Sequence, residues 1–208
     1  MGALARLVRR LRYGRPIVVV SGLPRSGTSL MMQMLKAGGL AIVADAMRAP
    51  DESNPRGYFE LEAVKDLEKG ASAAWLADAR GKAVKIVSPL LRWLPGSYDY
   101  RVILMQRDLD EVIASQNRML ARLGAPPDEA QNERIRERYR ALGDETRRLL
   151  RARRHFSTLV VEYGETIARP RETAGRVARF LGVALDVERM AEAADPALYR
   201  NRSSRTVV

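Results

Sequence analysis

Cysteine is absent from this chain of 208 residues, and histidine occurs once, as His155. Without thiols the chain can form neither a disulfide framework nor a thiolate metal site. A single imidazole likewise excludes a site built from several histidines, so no metal is expected. His155 ends the basic run 151–155, and this setting predicts a solvated side chain rather than a catalytic one.

Long apolar runs are also missing. No stretch approaches the roughly 18 apolar residues that suggest a membrane-spanning helix, and the basic segment 1–15 lacks the apolar core and cleavage site of a secretory signal. Two interpretations of this segment stay open, a short helix packed on the domain or an amphipathic helix in peripheral contact with anionic lipid. The cytoplasm is the expected location.

Aromatic residues make up only 6% of the chain, whereas Lys and Arg outnumber Asp and Glu by 36 to 25, which gives a net charge of +11. Such a field attracts anions, including nucleotides, anionic glycans and lipid head groups. Nucleic acid is not the expected partner, because acidic residues alternate with the arginines of residues 134–154 and no RNA-binding aromatic signature accompanies them. The length suits one domain over residues 1–208, with a flexible tail at 199–208.

The most informative segment is IVVVSGLPRSGTSL, residues 17–30. Its apolar start predicts a buried strand, and the apolar residues that recur after it at helical spacing predict a helix. The loop between them has the Gly-x4-Gly spacing of a phosphate-binding loop, at Gly22 and Gly27. Glycines let backbone N–H groups point inward, and a helix start adds partial positive charge where an anion would lie.

The loop departs from the ATP-binding pattern. That pattern has a Lys after the second glycine for the β- and γ-phosphates and then a Ser or Thr for Mg²⁺, whereas Thr28 follows Gly27 here. The positive charge is Arg25 inside the loop, and Ser26 and Ser29 supply further hydroxyls. This set favours a compact oxyanion over a metal–triphosphate complex.

A second predicted strand ends at Arg107, and an amphipathic helix is predicted to follow it. Ser115 lies eight positions after this arginine, on that helix and off its apolar stripe. Arginine suits phosphate binding because its planar fork can contact two oxygens. The alternative for Arg107 is a surface ion pair with Asp108 or Glu111.

Together these two motifs resemble the sulfotransferase family. The family's phosphosulfate loop has a Pro-Arg/Lys-x-Gly-Thr core, which residues 24–28 match, and the family binds a 3′-phosphate with an Arg at a strand end and a Ser eight positions later. The donor in this family is 3′-phosphoadenosine-5′-phosphosulfate (PAPS), which becomes 3′-phosphoadenosine-5′-phosphate (PAP). The nucleotide-binding residues that the resemblance implies are Pro24, Arg25, Ser26, Gly27, Thr28, Ser29, Arg107 and Ser115.

The resemblance covers most of the chain unevenly. Residues 54–60, NPRGYFE, are similar to a segment of bacterial members beside the acceptor cleft, and residues 159–183 resemble the family's late strand, turn and helix. The Arg-Lys-Gly-x-x-Gly loop of the cytosolic vertebrate type has no counterpart. The arginines of residues 200–205 either replace that loop or belong to a frayed tail.

The resemblance also bears on the catalytic base. Cytosolic sulfotransferases use a His two positions after a Lys; Lys85 matches that Lys, but Val87 stands in place of the His, which excludes this version of the mechanism. Tyrosylprotein sulfotransferases use a Glu about twenty residues after the loop arginine. Counting from the loop leads to Asp45, with Glu52 and Glu60 as the next candidates. Lys85 is expected to stabilise the leaving phosphate or the transferring group, unless it only reaches solvent.

Strands alternate with helices along the chain, which predicts a three-layer α/β/α fold with a mostly parallel sheet, like that of P-loop NTPases. Ligands bind at the carboxyl ends of strands in such sheets. The predicted strands cover residues 17–20, 40–43, 82–87, 102–105 and 158–162, and later helices are predicted over 58–79, 108–123, 128–153, 170–181 and 186–194.

The expected activity is transfer of a sulfuryl group from PAPS to a hydroxyl or amine of a small-molecule, glycan, lipid or peptide acceptor, by an in-line reaction with a carboxylate base. Two alternatives stay open. A P-loop kinase or NTPase needs a Lys after Gly27 and an acidic residue that ends a strand. A non-catalytic nucleotide-binding module is favoured by the missing His and the missing C-terminal loop.

Overall fold

The computed structural model describes residues 8, 11–45, 59–70, 73–122, 124 and 128–194. Within these residues five strands form one sheet in the spatial order β2-β3-β1-β4-β5, and every pairing is parallel. The strands are β1 (Ile17–Gly22), β2 (Ile42–Val43), β3 (Ala83–Lys85), β4 (Tyr100–Gln106) and β5 (Phe156–Glu162).

Helices cover both faces of the sheet. The α-helices are α1 (Thr28–Ala37), α2 (Glu62–Lys65), α3 (Leu109–Arg122), α4 (Glu129–Ala152), α5 (Tyr163–Ala168), α6 (Pro170–Leu181) and α7 (Val187–Glu192). Three 3₁₀ helices cover Asp66–Lys69, Ala74–Leu76 and Ser88–Trp93. Among the described residues, no helix is both long enough and apolar enough to cross a bilayer.

Two hydrophobic clusters, one on each face, explain why β1 is apolar from Ile17 to Val20. Val18 and Val20 point into a cluster with α1, α6 and α7, whereas Ile17 and Val19 point into a cluster with the 3₁₀ helices and α4. A central strand buried on both faces needs apolar residues at successive positions. The predicted three-layer α/β/α fold with a parallel sheet is therefore confirmed.

The predicted helix over residues 58–79 is wrong in its extent. Among the described residues of that range only α2 is α-helical, and it passes directly into the 3₁₀ helix that ends at Gly70, where φ is 72°. Gly adopts this left-handed conformation without steric cost and so ends the helix. Leu67 and Leu76 are nevertheless buried, because tight 3₁₀ turns still direct apolar side chains to the core.

His155 is half-buried rather than solvated. Its ring lies 4.4 Å from the ring of Phe156 and 5.8 Å from that of Tyr100, measured between centroids. The residue precedes β5 directly, so its ring packs over the start of that strand. Residues 54–58 of the NPRGYFE segment and the predicted tail at 199–208 lie outside the described residues.

Replacing Asp128 by Ala tests the start of α4. The Asp128 carboxylate accepts a hydrogen bond of 2.9 Å from the backbone N–H of Ala130, and loss of such an N-cap costs about 0.5–2 kcal/mol. We expect Asp128→Ala to lower the free energy of unfolding by about 1 kcal/mol in urea titrations. Glu137→Ala, on the exposed surface of the same helix, is the control, and an equal effect of both variants would contradict the assignment.

Candidate functional site

The candidate site lies at the edge of the sheet where the parallel strands end. The loop after β1 leads into α1, Arg107 follows β4, Tyr163 follows β5, and Lys85 ends β3. Parallel strands bring these ends together, and open α/β sheets bind ligands at this edge. The residues that the two sequence motifs single out therefore meet in one place.

Close backbone approach shapes the loop after β1. A Cβ on Gly22 would overlap the Ser26 hydroxyl and lie 2.7 Å from the carbonyl oxygen of Met105. Gly27 has a φ of 97°, and a Cβ there would overlap the ring of Tyr163. Arg25 also adopts a positive φ, 67°, which is uncommon outside glycine and often marks functional sites. Both glycines of the motif are therefore required by the loop's geometry.

A buried hydroxyl lies inside this loop. Ser26 is 1% exposed, and its Oγ has no hydrogen-bond partner within the described part of the chain. A buried polar group without a partner costs about 1–3 kcal/mol. Helix α1 begins beside it at Thr28, with no side-chain cap and no acidic residue in its first turn. Backbone N–H groups and a hydroxyl are thus available to an anion here.

The other loop residues differ in exposure and contacts. Pro24 is exposed, whereas Thr28 and Ser29 are half-buried in the first turn of α1. The Nε of Arg25 donates a hydrogen bond of 3.1 Å to the Oγ of Ser115. Ser115 is 6% exposed, although it lies off the apolar stripe of α3. The loop and α3 are therefore linked by this hydrogen bond.

Arg107 is fixed on three sides. Its Nε lies 2.9 Å from a carboxylate oxygen of Glu111, and the two side chains are 7% and 2% exposed. Its Nη1 donates a hydrogen bond of 3.3 Å to the carbonyl oxygen of Arg25. The centre of its guanidinium lies 4.3 Å from the ring centroid of Tyr163. The ion pair weighed as a surface alternative forms with Glu111, but it is buried within the site.

Asp108 supports this arrangement from the backbone. Its carboxylate accepts hydrogen bonds of 2.9 Å and 3.2 Å from the N–H groups of Asp110 and Glu111. An acidic side chain at this position satisfies donors at the start of a helix. Asp108 thereby orients the first turn of α3, which carries the carboxylate that pairs with Arg107.

Tyr163 is the site residue that the sequence motifs do not reveal. It is buried, and this burial raises the pKa of its hydroxyl, although the nearby positive charge of Arg107 opposes the shift. The hydroxyl is therefore protonated at neutral pH. The signal that could have located it is its place directly after a predicted strand, at the same edge as Arg107.

A second group of charges lies at the end of β3. Lys85 is in register with Val20 of β1, and its Nζ lies 3.8 Å from a carboxylate oxygen of Glu60, with side-chain exposures of 9% and 34%. The backbone N–H of Asp45 donates a hydrogen bond of 2.7 Å to the carbonyl oxygen of Glu60. The structure thus places Lys85, Glu60 and the backbone of Asp45 together beside β1.

Two of the three candidate carboxylates differ in their surroundings, and the third is not described. The Oδ2 of Asp45 accepts a hydrogen bond of 2.6 Å from the N–H of Glu62 at the start of α2, whereas Glu60 contacts Lys85. Glu52 lies outside the described residues. No group of three or more His, Asp or Glu side chains suited to holding a metal ion occurs in the described ranges.

Comparisons with known proteins bear on the fold and the family. Two solved structures share the fold: the sulfotransferase domain from the curacin biosynthetic pathway, at 16% identity and a TM-score of 0.52 over 90% of this chain and 83% of that one, and the sulfotransferase domain from the Synechococcus PCC 7002 olefin synthase, at 18% and 0.52 over 93% and 90%. A search of curated proteins finds no match. The family described as "Sulfotransferase domain" matches residues 15–208. This chain belongs to the sulfotransferase domain family.

Proposed function

We propose that this protein transfers a sulfuryl group from PAPS to a hydroxyl or amine of an acceptor. Membership of the family supports sulfuryl transfer in general. The observation that carries the proposal is the direct contact between the loop after β1 and the Arg107–Ser115 pair, through Arg25. A donor with anionic groups at both its 5′ and 3′ positions suits two adjoining sets of cationic and hydroxyl groups.

The residues of the loop fit such a donor. The Ser26 hydroxyl is buried without a partner among the described residues, and a Cβ at Gly22 would overlap it. In the proposed role, Arg25, Ser26, Gly27, Thr28 and the adjoining Ser29 bind the 5′-phosphosulfate. Arg107 and Ser115 bind the 3′-phosphate, for which a planar guanidinium is well suited.

PAPS, when bound, supplies a sulfuryl group whose S–O bond to the 5′-phosphate breaks as a new S–O bond to the acceptor oxygen forms. A reaction of this kind depends mainly on positioning and on electrostatic stabilisation. Arg25 and Lys85 supply positive charge at the edge of the sheet, while the acceptor's proton passes to a carboxylate. The electron pair of the broken bond stays on PAP.

We infer that Glu60 is that carboxylate. It lies against Lys85, which ends the strand next to β1, so a proton acceptor and a cation stand together beside the loop. Asp45 already accepts the N–H that begins α2, which is the role of a helix cap. Asp45 and Glu52 stay as alternatives that the same transfer assay can test.

Calorimetric titration with PAP tests the nucleotide assignment. We expect the wild type to bind PAP without Mg²⁺, and Arg107→Lys to weaken binding by about 10- to 100-fold, because hydrogen bonds to charged groups contribute about 1.5–3 kcal/mol. Lysine keeps a positive charge near Glu111 but loses the planar fork. Arg107→Ala would remove one partner of a buried ion pair, which costs about 3–5 kcal/mol in folding, so Lys is the cleaner variant.

Arg138→Lys, at an exposed position on α4, is the matched control and should leave PAP affinity unchanged. Tight Mg²⁺-dependent binding of ATP in place of PAP would contradict the proposal and favour a kinase or NTPase. Transfer of labelled sulfate from PAPS to a panel of sugars, lipids, phenols and tyrosyl peptides then identifies the acceptor class. Binding of PAP with no transfer to any acceptor and no hydrolysis of PAPS would indicate a binding module.

A further inference from the structure

A second groove lies between the 3₁₀ helix Ser88–Trp93 and the C-terminal half of α4, and we call it the α4 groove. Its volume is about 420 Å³, which falls within the range of about 300–1,000 Å³ of small-molecule sites. Both elements pack on the face of the sheet opposite α1. Within the part of the chain that the structure describes, its lining includes no residue of the loop after β1.

One side of the α4 groove is apolar. Leu142, Leu149 and Ala152 line it, and together with Thr146 they recur every three or four residues along one face of α4. Thr146 is 3% exposed, and its hydroxyl donates a hydrogen bond of 2.7 Å to the carbonyl oxygen of Leu142. Because this hydroxyl is satisfied within the helix, this side of the groove offers apolar contact rather than hydrogen bonds.

Guanidinium groups dominate the charged part of the lining. Arg92, Arg148 and Arg153 line the α4 groove together with one carboxylate, that of Glu145. The Nη2 of Arg92 lies 2.6 Å from the Oε1 of Glu145, so this ion pair links the two elements that form the groove. The lining therefore keeps an excess of two positive charges.

The two remaining arginines have no acidic partner within the described ranges. The Nη1 of Arg153 donates a hydrogen bond of 2.7 Å to the carbonyl oxygen of Arg92, which carries no net charge. The side chain of Arg148 makes neither an ion pair nor a hydrogen bond to any described residue. A guanidinium fork matches the paired oxygens of a carboxylate or a sulfonate, so an anionic group suits this end of the groove.

We propose that the α4 groove binds a small amphipathic anion. Arg148 and Arg153 hold its carboxylate, sulfate or sulfonate head, and the apolar side of α4 receives its apolar body. Glu145 weakens the binding, because its charge repels the head and competes with it for Arg92. This site goes beyond the proposed function, since it involves neither PAPS nor the residues that follow β1 and β4.

An NMR titration of backbone amide signals tests the site with two probes of almost equal shape, 2-naphthalenesulfonate and the neutral 2-naphthalenesulfonamide. We expect the wild type to bind the sulfonate with a Kd of about 0.1–1 mM, with the largest shifts in residues 88–92 and 142–153. The sulfonamide should bind at least about 5-fold more weakly, because it lacks the charge that the guanidinium groups attract.

Substitutions at the rim should change the affinity in opposite directions. Arg148→Gln and Arg153→Gln should each weaken sulfonate binding by about 2- to 5-fold, the range of a solvent-exposed ion pair. Glu145→Gln should strengthen it by about 2- to 5-fold, because the competing carboxylate is removed. General loss of structure would not produce such a gain.

Two matched controls make the same changes of net charge outside the groove. Arg138→Gln and Glu137→Gln alter exposed positions of α4 and should shift the affinity by less than about 1.5-fold. Arg107→Lys should likewise leave sulfonate binding unchanged, because that arginine belongs to the site at the ends of the strands.

Four results would overturn the inference. The wild type could fail to bind the sulfonate, or could bind the sulfonamide equally well. Glu145→Gln could weaken the binding as the arginine variants do. The shifts could instead lie in the loop after β1 and disappear in Arg107→Lys, which would place the probe in the other site. None of these results depends on PAP, so a wild type that does not bind PAP would refute the proposed function alone.

Discussion

Gly27→Ala should abolish nucleotide binding, with at least about a 100-fold loss of PAP affinity. The backbone at Gly27 has a φ of 97°, and the new Cβ would overlap the Tyr163 ring. A left-handed conformation costs an L-residue roughly 1–2 kcal/mol, and overpacking costs about 1–3 kcal/mol more. Either the loop or the Tyr163 ring must shift to relieve this strain, and calorimetry with PAP measures the result.

Gly39→Ala is the matched control. Gly39 has a similar φ, 91°, but no atom lies within 4 Å of its added Cβ, so this variant carries the backbone cost without the clash. It should lower the free energy of unfolding by about 1–2 kcal/mol and leave PAP affinity unchanged. Wild-type affinity in Gly27→Ala would show that the contact between loop and ring is not needed for binding.

Glu60→Gln should lower kcat for sulfate transfer by about 10²- to 10⁴-fold, the usual contribution of a general base. Glutamine keeps the length of the side chain and can accept a hydrogen bond from Lys85, but it does not take a proton at neutral pH. Affinity for PAP should change by less than about 3-fold, because the expected loss is in the chemical step. Single-turnover transfer from labelled PAPS measures the rate of the chemical step.

Asp45→Asn is the comparison for Glu60→Gln. Its side-chain oxygen can still accept the N–H of Glu62, which Asp45 accepts at 2.6 Å, so the start of α2 is preserved. We expect a change in kcat of less than about 10-fold, since a helix cap contributes about 1 kcal/mol. A greater loss in Asp45→Asn than in Glu60→Gln would reverse the assignment of the base.

Sequence patterns predicted the elements whose ends are marked by local start and stop residues. Helix α6 covers Pro170–Leu181, as predicted, with Pro at its first position and Gly182 in the left-handed conformation after its end. Both residues act locally, which is why the sequence alone locates them. The prediction of one helix over residues 58–79 was wrong because the apolar pattern continues across Gly70. The apolar residues there pack as short 3₁₀ turns.

The sequence predicted the site residues that belong to a local motif after a strand. It did not predict the contacts between residues that are far apart in the chain. The spacing of Arg107 and Ser115 is visible in the sequence, but the hydrogen bond that Ser115 accepts comes from Arg25, 90 residues away. Tyr163 has no motif of its own. Its ring meets Arg107 and Gly27 only because β4 and β5 pair in register, and strand pairing is set by the whole sheet rather than by local sequence.

The buried ion pair between Arg107 and Glu111 has a consequence for ionic strength. Both side chains are almost inaccessible to solvent, so dissolved counterions screen the contacts of Arg107 far less than they screen surface charges. The net charge of +11 acts at long range and guides anions toward the protein before contact. Added salt will therefore slow the association of an anionic ligand much more than it hastens its dissociation.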